Sequence, residues 1–165
     1  MKTPVVVIAL AGVAVAAVVA ALVGTAFNPF ASKMPEHALR PDDAKLLAVG
    51  KRIYMAQCAS CHGARLEGQP EWRTRGADGL LPAPPHDASG HTWHHPDETL
   101  FRITKFGVAS IVGDPNYKTA MPIYEGVLSD EEIVAVLSWI KAQWPAAIRQ
   151  KHDQMNAAAA KASGP

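Results

Sequence analysis

Two cysteines and a histidine stand close together in the segment AQCASCHG, residues 56–63. Cys58 and Cys61 are the only cysteines of the chain, and His62 directly follows the second one. Residues of these types at this spacing occur in three kinds of site: a redox-active dithiol, a zinc site, and the covalent attachment sequence of a haem. The surrounding sequence decides which of these chemistries is predicted.

That surrounding sequence disfavours the first two kinds of site. A thioredoxin-like dithiol follows a strand in a βαβ pattern, whereas these cysteines end a predicted helix with no strand pattern around it. A structural zinc site needs four ligands, so three adjacent side chains would have to converge with a remote histidine. A disulfide is weaker still, because cysteines three apart on a helical turn have unfavourable bridging geometry. Zinc remains the alternative to haem.

The segment matches the third kind of site, because it has the pattern C-x-x-C-H, which is the attachment sequence of c-type haem. Two thiols one helical turn apart can each add to one vinyl group of the porphyrin, and the next residue then places its imidazole under the iron. An exported chain, a preceding amphipathic helix and a suitable second ligand downstream agree with this interpretation. We therefore predict one covalent haem c on Cys58 and Cys61, with His62 as an axial ligand.

The second axial ligand is predicted at Met121. Haem iron in c-type electron carriers is commonly held between His and Met, and a soft thioether favours the ferrous state and so raises the reduction potential. Met121 precedes Pro122 in an irregular segment, so it can lie on a loop that folds over the opposite haem face. Met55 is interpreted as core filler.

Three helices and long loops are predicted to position these ligands. The first runs from about residue 43 to the cysteine motif after an aspartate N-cap, and the second follows Pro96. The third begins at Ser129 with capping-box spacing and stops at Pro145. No segment has a convincing strand pattern, so the fold class is predicted to be all-α, with loops wrapped around a central group.

The N-terminal sequence predicts a membrane anchor. Residues 5–23 form an uncharged apolar run, and roughly 20 apolar residues are needed to span a bilayer. Lys2 in front of the run favours a cytoplasmic N-terminus and export of the rest of the chain. A cleaved secretory signal is the alternative, because GTA at residues 24–26 is an acceptable cleavage site.

Four segments follow from these patterns: an anchor or signal segment (1–27), a linker (28–41), a folded domain (42–146), and a flexible or partly helical tail (147–165). Without the first 32 residues, whose only charged side chain is Lys2, 15 basic and 15 acidic residues remain. Nucleic-acid binding needs clustered Lys and Arg, so no nucleic-acid partner is predicted. A domain this small has a thin core, which a large buried cofactor would help to hold together.

Residues 43–145 resemble a class I c-type cytochrome, the small mono-haem electron-transfer family. The resemblance rests on GKRIYMAQCASCHG near the start, AMP around residue 121, and LSDEEIVAVLSWIKAQWP at the end. It implies the small cytochrome c fold, with about three main helices and long loops wrapped around one covalently bound haem. The predicted architecture of the chain is this fold plus an N-terminal transmembrane helix. It also implies that the first and last helices cross closely, with Gly50 and Tyr54 against residues 137–139.

The resemblance further implies that a proline carbonyl accepts the Nδ1–H of His62 and thereby orients the ligand. Pro84 and Pro85 are both candidates for this acceptor. Four other side chains are candidates for bonding the haem propionates, since burying a carboxylate demands donors: Trp72, Arg73, Arg75 and Trp93. Ordinary packing or solvent exposure is the alternative for each of these four.

The segment PPHDASGHTWHHPDE departs from the usual pattern of that family, because it carries His86, His91, His94 and His95. One hypothesis is an additional metal site, such as copper, since imidazole suits that metal. Another is a surface loop near the haem edge with local hydrogen bonds. A third is that one of these histidines replaces Met121 as the axial ligand.

The predicted function is that of a single-electron carrier in a periplasmic or membrane electron-transport chain, such as a respiratory chain. With both axial positions filled, the iron has no open site, so we predict neither an independent enzyme nor a small-molecule substrate. Partners are predicted to be redox proteins that dock transiently, with the haem domain anchored on the exported, periplasmic side. The alternatives are a haem c subunit of a multisubunit oxidase or reductase, and a metal-handling or sensing module that uses residues 86–95.

Overall fold

The structure is a computed structural model that describes residues 36–114 and 116–162. These residues form helices and loops without a strand, which agrees with the predicted all-α class. The helices are α1 (Ala44–Ile53), α2 (Ala59–His62), α3 (Asp97–Phe106), α4 (Ala109–Val112), α5 (Asp130–Ala142) and α6 (Ala146–Ala162). A π-helical turn (Tyr54–Cys58) joins α1 to α2, and a 3₁₀ turn (Thr92–His94) precedes α3.

The predicted membrane segment, residues 1–27, lies outside the described residues. Within the described ranges, no helix is long and apolar enough to cross a membrane. The anchor therefore stays a prediction from sequence.

The starts of α1 and α5 are set by the predicted capping residues. Asp43 accepts hydrogen bonds from the backbone amides of Lys45 and Leu46, at 3.1 Å each. Ser129 and Glu132 form a reciprocal capping box, in which each side chain bonds the backbone amide of the other residue. Such caps satisfy amides that have no partner within the helix, so the sequence specifies where both helices begin.

Helices α1 and α5 cross at Gly50, as the resemblance implied. A Cβ at Gly50 would overlap the backbone carbonyl of Ala135 and lie 2.9 Å from the Cβ of Trp139. One turn later, the buried ring of Tyr54 packs against the ring of Trp139 with centroids 4.7 Å apart. Glycine in mid-helix thus allows two helix backbones to come into direct contact.

Replacing Gly50 with Ala should therefore destabilise the domain. The added methyl group meets a backbone carbonyl, which cannot turn aside, so we expect a cost near the upper end of overpacking, about 3 kcal/mol. The better helix propensity of Ala offsets about 1 kcal/mol of this. Chemical denaturation of the haem-loaded protein measures the difference. The matched control is Ala48→Gly at an exposed position of α1, which should cost only about 1 kcal/mol of propensity.

The core is formed mainly by α5 together with α1 and α3. Its buried apolar side chains include Leu46, Tyr54, Leu100, Phe101, Ile133, Val136, Leu137, Ile140 and Trp144. Met55, by contrast, is 48% exposed. The interpretation of Met55 as core filler is therefore wrong, because the π-helical turn in which it lies presents it to the surface rather than to the helix crossing.

The C-terminal tail, predicted to be flexible or partly helical, forms helix α6, which is continuous from residue 146 to 162. His152 on this helix is completely buried, and its Nε2 lies 3.0 Å from the backbone carbonyl of His95. Asn156, one turn later, bonds both the backbone amide and the carboxylate of Asp97. Helix α6 is thus held against the start of α3 by polar contacts.

The burial of His152 predicts that the domain is less stable at acidic pH. Burial, reinforced by the charge of Lys141, lowers the pKa of His152, although Asp97 and Asp153 act in the opposite direction. The unfolded chain binds the proton near the ordinary pKa of about 6.5, and the folded chain binds it only at lower pH. The free energy of unfolding should therefore fall as the pH drops below about 6.5, by up to about 1.4 kcal/mol per pH unit for this group.

Thermal unfolding at about pH 7.5 and about pH 5.5 brackets the ordinary histidine titration and measures this effect. Other groups can also contribute to the pH dependence of stability, so the comparison is with a His152→Gln variant, whose amide can still donate to the carbonyl of His95. We expect the variant to lose less stability on acidification than the unaltered chain. Equal losses would show that His152 does not contribute to the pH dependence.

Candidate cofactor site

Two tyrosine hydroxyl groups hold the cysteine motif in place. Tyr54 donates to the backbone carbonyl of Gly63, at 2.7 Å, and Tyr124 donates to that of Gln57, at 2.8 Å. The intervening π-helical turn ends at Cys58, and such turns frequently lie at functional sites. Contacts at both ends of the motif therefore fix the short helix α2, which carries the second cysteine and the histidine. The sequence predicts Tyr54 at the helix crossing but gives no signal for either hydroxyl contact.

The two cysteines are free thiols in the structure, with Cys58 partly buried and Cys61 exposed. Burial raises the pKa of the Cys58 thiol to about 11. Redox-active cysteines instead have lowered pKa values, because the thiolate is the reactive form. This environment does not suit a dithiol oxidoreductase, whereas it is compatible with thiols that are modified once and then remain in place.

His62 is oriented by a hydrogen bond on the side of the ring away from its Nε2 atom. Its Nδ1 lies 2.9 Å from the backbone carbonyl of Pro84, and the residue is only 8% exposed. Of the two candidate prolines, it is thus Pro84 that makes this contact, while the carbonyl of Pro85 faces the Thr92 hydroxyl at 3.5 Å. Burial lowers the pKa of His62. The neutral ring donates from Nδ1 and keeps the lone pair on Nε2 for a metal.

Gly68 allows the Pro84 segment to reach His62, a role that was not predicted from the sequence. Its backbone has a φ of 68°, and a Cβ there would lie 2.6 Å from the carbonyl carbon of Pro84. The amide of Gly68 also donates to the carbonyl of His62, at 2.8 Å. A glycine six residues after C-x-x-C-H is the signal that could have indicated this close approach.

Each of the four histidines in residues 86–95 packs against another ring. His86 stacks on the ring of His62, His91 stacks on the ring of Trp72 and meets the ring of His95 edge to face, and His94 packs against the ring of Trp93. Among the residues that the structure describes, no three His, Cys, Asp or Glu side chains converge as metal ligands would. The hypothesis of an additional metal site therefore finds no support in the described part of the chain.

His86 is a residue whose role the sequence did not reveal. Its ring lies 4.0 Å from that of His62, centroid to centroid, with 21° between the planes. Its Nδ1 lies 2.7 Å from Oγ1 of Thr92, and its backbone carbonyl accepts a hydrogen bond from Nε1 of Trp144, also at 2.7 Å. Burial lowers the pKa of His86 well below its ordinary value.

The four candidates for the propionates make contacts within or near their own loops. The guanidinium of Arg73 lies 4.0 Å from the ring centroid of Trp72. Arg75 donates to the carbonyl of Gly79, at 2.7 Å, and Nε1 of Trp93 donates to a nearby backbone carbonyl at 3.4 Å. A role toward the propionates stays a prediction for all four.

Met121 lies where the sequence placed it, in the irregular segment between α4 and α5. Two backbone hydrogen bonds tether that segment to α3: the amides of Tyr124 and Glu125 donate to the carbonyls of Thr104 and Lys105. Three residues of chain span at most about 11 Å, and the hydroxyl of Tyr124 reaches the cysteine motif. The segment of Met121 therefore lies beside the motif, and its ligand role stays a prediction.

These groups fit a c-type haem by their donor chemistry. Two free thiols are available for thioether bonds, a neutral imidazole offers Nε2, and a thioether stands on a neighbouring segment. Large apolar side chains are exposed on that segment and just before it: Ile111, Val112, Ile123 and Val127. Exposed apolar surface of this kind suits a large apolar ligand.

One comparison with known proteins gave a match. The family model described as cytochrome c oxidase, cbb3-type, subunit III matches residues 45–140. The matched range includes the cysteine motif, Pro84, His86 and Met121. No curated protein and no solved structure matched the chain.

Proposed function

The chain belongs to the family of cbb3-type cytochrome c oxidase subunit III, a cytochrome c domain with a covalent c-type haem and an electron-transfer role; on this premise we propose that it is a single-electron carrier between redox proteins. Cys58 and Cys61 would hold the haem by thioether bonds, and His62 and Met121 would ligate its iron. When bound, the haem supplies an iron that accepts and releases one electron. The observation that carries the proposal is the imidazole of His62, held by Pro84 beside two free thiols.

The protein side chains give this carrier two properties. Burial of His62 and its bond to Pro84 restrain the direction of the ligand, so little rearrangement accompanies a change of charge. Ligation by Met121 would leave no position for a substrate at the metal, which restricts the site to passing electrons. The proposed N-terminal anchor, residues 1–27, would hold the domain on the periplasmic side and confine its search for partners to the membrane surface.

The intact mass of the native protein, purified from membranes, tests attachment and anchoring together. We expect the mass of the full chain plus one haem, and colour that stays with the denatured protein in acid acetone. The control is a Cys58→Ser, Cys61→Ser double variant, which should lose all covalent haem. A native protein that releases all its colour, or has none, would contradict the proposal, and a mass lacking about 26 residues would replace the anchor with a cleaved signal.

A second candidate function is a haem c subunit of a multisubunit oxidase, which the name of the matching family favours. In that case the docking contact would be permanent rather than transient. Native electrophoresis of gently solubilised membranes, stained for haem, separates the two functions. Comigration with other redox subunits would support the oxidase subunit, whereas a small haem-stained species alone would support the free carrier.

A further inference from the structure

The Pro84 hydrogen bond alone leaves one motion of the His62 ring weakly restrained. It sets the direction of Nδ1, but hydrogen bonds tolerate a broad range of angles at a carbonyl oxygen. A flat group against the ring face removes this freedom, because turning the imidazole about its Cβ–Cγ bond would drive it into that group. In this structure the flat group is the imidazole of His86, stacked at 4.0 Å.

His86 is itself held at several points. Its backbone amide donates to the carbonyl of Leu66 at 2.8 Å, and its own carbonyl accepts from Trp144 at 2.7 Å. Its ring is tied to Oγ1 of Thr92, a buried residue. A side chain fixed in this way can hold a neighbour in place, whereas a free surface histidine cannot.

The segment of His86 is bonded by Leu66, whose backbone has an unfavourable conformation. Leu66 has a φ of 71°, in the left-handed region that residues other than glycine adopt only at an energetic cost. In that conformation its carbonyl accepts from the amides of both His86 and Asp87. Backbone strain of this kind persists where the surrounding structure requires it, and here it serves the segment that carries His86.

We propose that His86 is a positioning residue that fixes the plane of the His62 imidazole. Through the hydrogen bond that its carbonyl accepts from Trp144, His86 also ties that ligand to the chain just after α5. The inference rests on the proposed function, because it takes His62 to be an axial ligand. It adds a role for a histidine that neither the motif nor the proline contact explains. This role requires a flat ring that is anchored at Nδ1. A phenyl ring is flat but lacks the anchor, so it should replace the His86 imidazole only in part.

Proton magnetic resonance of the ferric protein tests this inference. The resonances of the haem methyl groups report how unpaired spin is distributed over the porphyrin, and that distribution depends on the orientation of the axial ligand planes. We expect His86→Ala to change the order or spread of these resonances and to shift the reduction potential. His86→Phe should restore part of the original pattern. Thr92→Val removes the anchor of the ring together with the 3.5 Å contact to the carbonyl of Pro85, and it should give a smaller change than His86→Ala.

The matched control is His94→Ala, an exposed histidine of the same loop that packs on Trp93 and not on His62. Its methyl pattern should equal that of the unaltered protein. A His86→Ala protein with an unchanged pattern and only a lower melting temperature would overturn the inference and leave His86 a packing residue. If His86→Ala gives no haem-loaded protein, Thr92→Val decides, and an unchanged pattern there overturns the inference. Absence of all haem resonances from the unaltered protein would instead contradict the proposed function.

Discussion

Replacement of His62 with Ala is expected to leave little or no stable haem-loaded protein. The imidazole is the ligand that the structure prepares most completely, since it is buried, neutral and held at Nδ1 by Pro84. Loss of a partner of a metal ligand typically costs 10–100-fold in affinity, so loss of the ligand itself should lower the yield by at least about tenfold. The haem absorbance per milligram of purified protein measures the yield.

Two control experiments distinguish the loss of the iron ligand from a general loss of haem-loaded protein. His94→Ala removes an exposed imidazole 32 positions later in the chain and should give a normal yield. His62→Gly, supplied with free imidazole during expression, should recover part of the haem-loaded protein, because the added ligand can take the vacated position. Normal yields from His62→Ala would contradict the assignment of the proximal ligand.

The sequence predicted those parts of the fold that depend on short-range signals. An aspartate N-cap and a capping box specify the starts of α1 and α5, and C-x-x-C-H fixes the place of the attachment site in the chain. Gly50 could be interpreted because the resemblance supplied the partner helix that a mid-helix glycine requires. In each case the physical cause lies within a few residues, or in a contact that the family resemblance already implied.

Long-range contacts of polar groups were not predictable in the same way. Pro84 and Pro85 are adjacent and have the same backbone chemistry, so only the path of the loop past Gly68 determines which carbonyl faces His62. The burial of His152 depends on a backbone carbonyl that lies 57 residues away in sequence. No periodic pattern marks such a contact, and the alanine-rich end of the chain therefore suggested a flexible or partly helical tail.

The histidine loop shows that composition alone leaves several roles open. Four histidines within ten residues suggest a metal site, but imidazole is also a flat ring that stacks on aromatic neighbours. In the structure His86 stacks on His62 and His91 on Trp72, with ring centroids 4.0 Å and 5.2 Å apart. Burial lowers the pKa of both His86 and His91, which favours neutral rings. Here the histidines supply stacking surfaces around the site.

Met121→Ala is expected to remove the weak sulfur-to-iron absorption band near the red end of the ferric spectrum and to lower the reduction potential. A thioether favours ferrous iron, and axial ligands set haem potentials over a span of about 0.8 V. We therefore expect a decrease that is a substantial fraction of this span, measured by spectroelectrochemistry. Met155→Ala, which removes a methionine of α6 outside the matched range, is the control and should leave band and potential unchanged.

A Met121→His variant separates loss of the sulfur from loss of the fold. It offers an imidazole at the same position, so the absorption band should stay absent and the potential low while the protein keeps its haem and its low-spin spectrum. If Met121→Ala retains both the band and the potential, the sulfur does not come from this residue. In that case, presenting a ligand would not explain why this segment is hydrogen-bonded to α3 and why Tyr124 contacts Gln57.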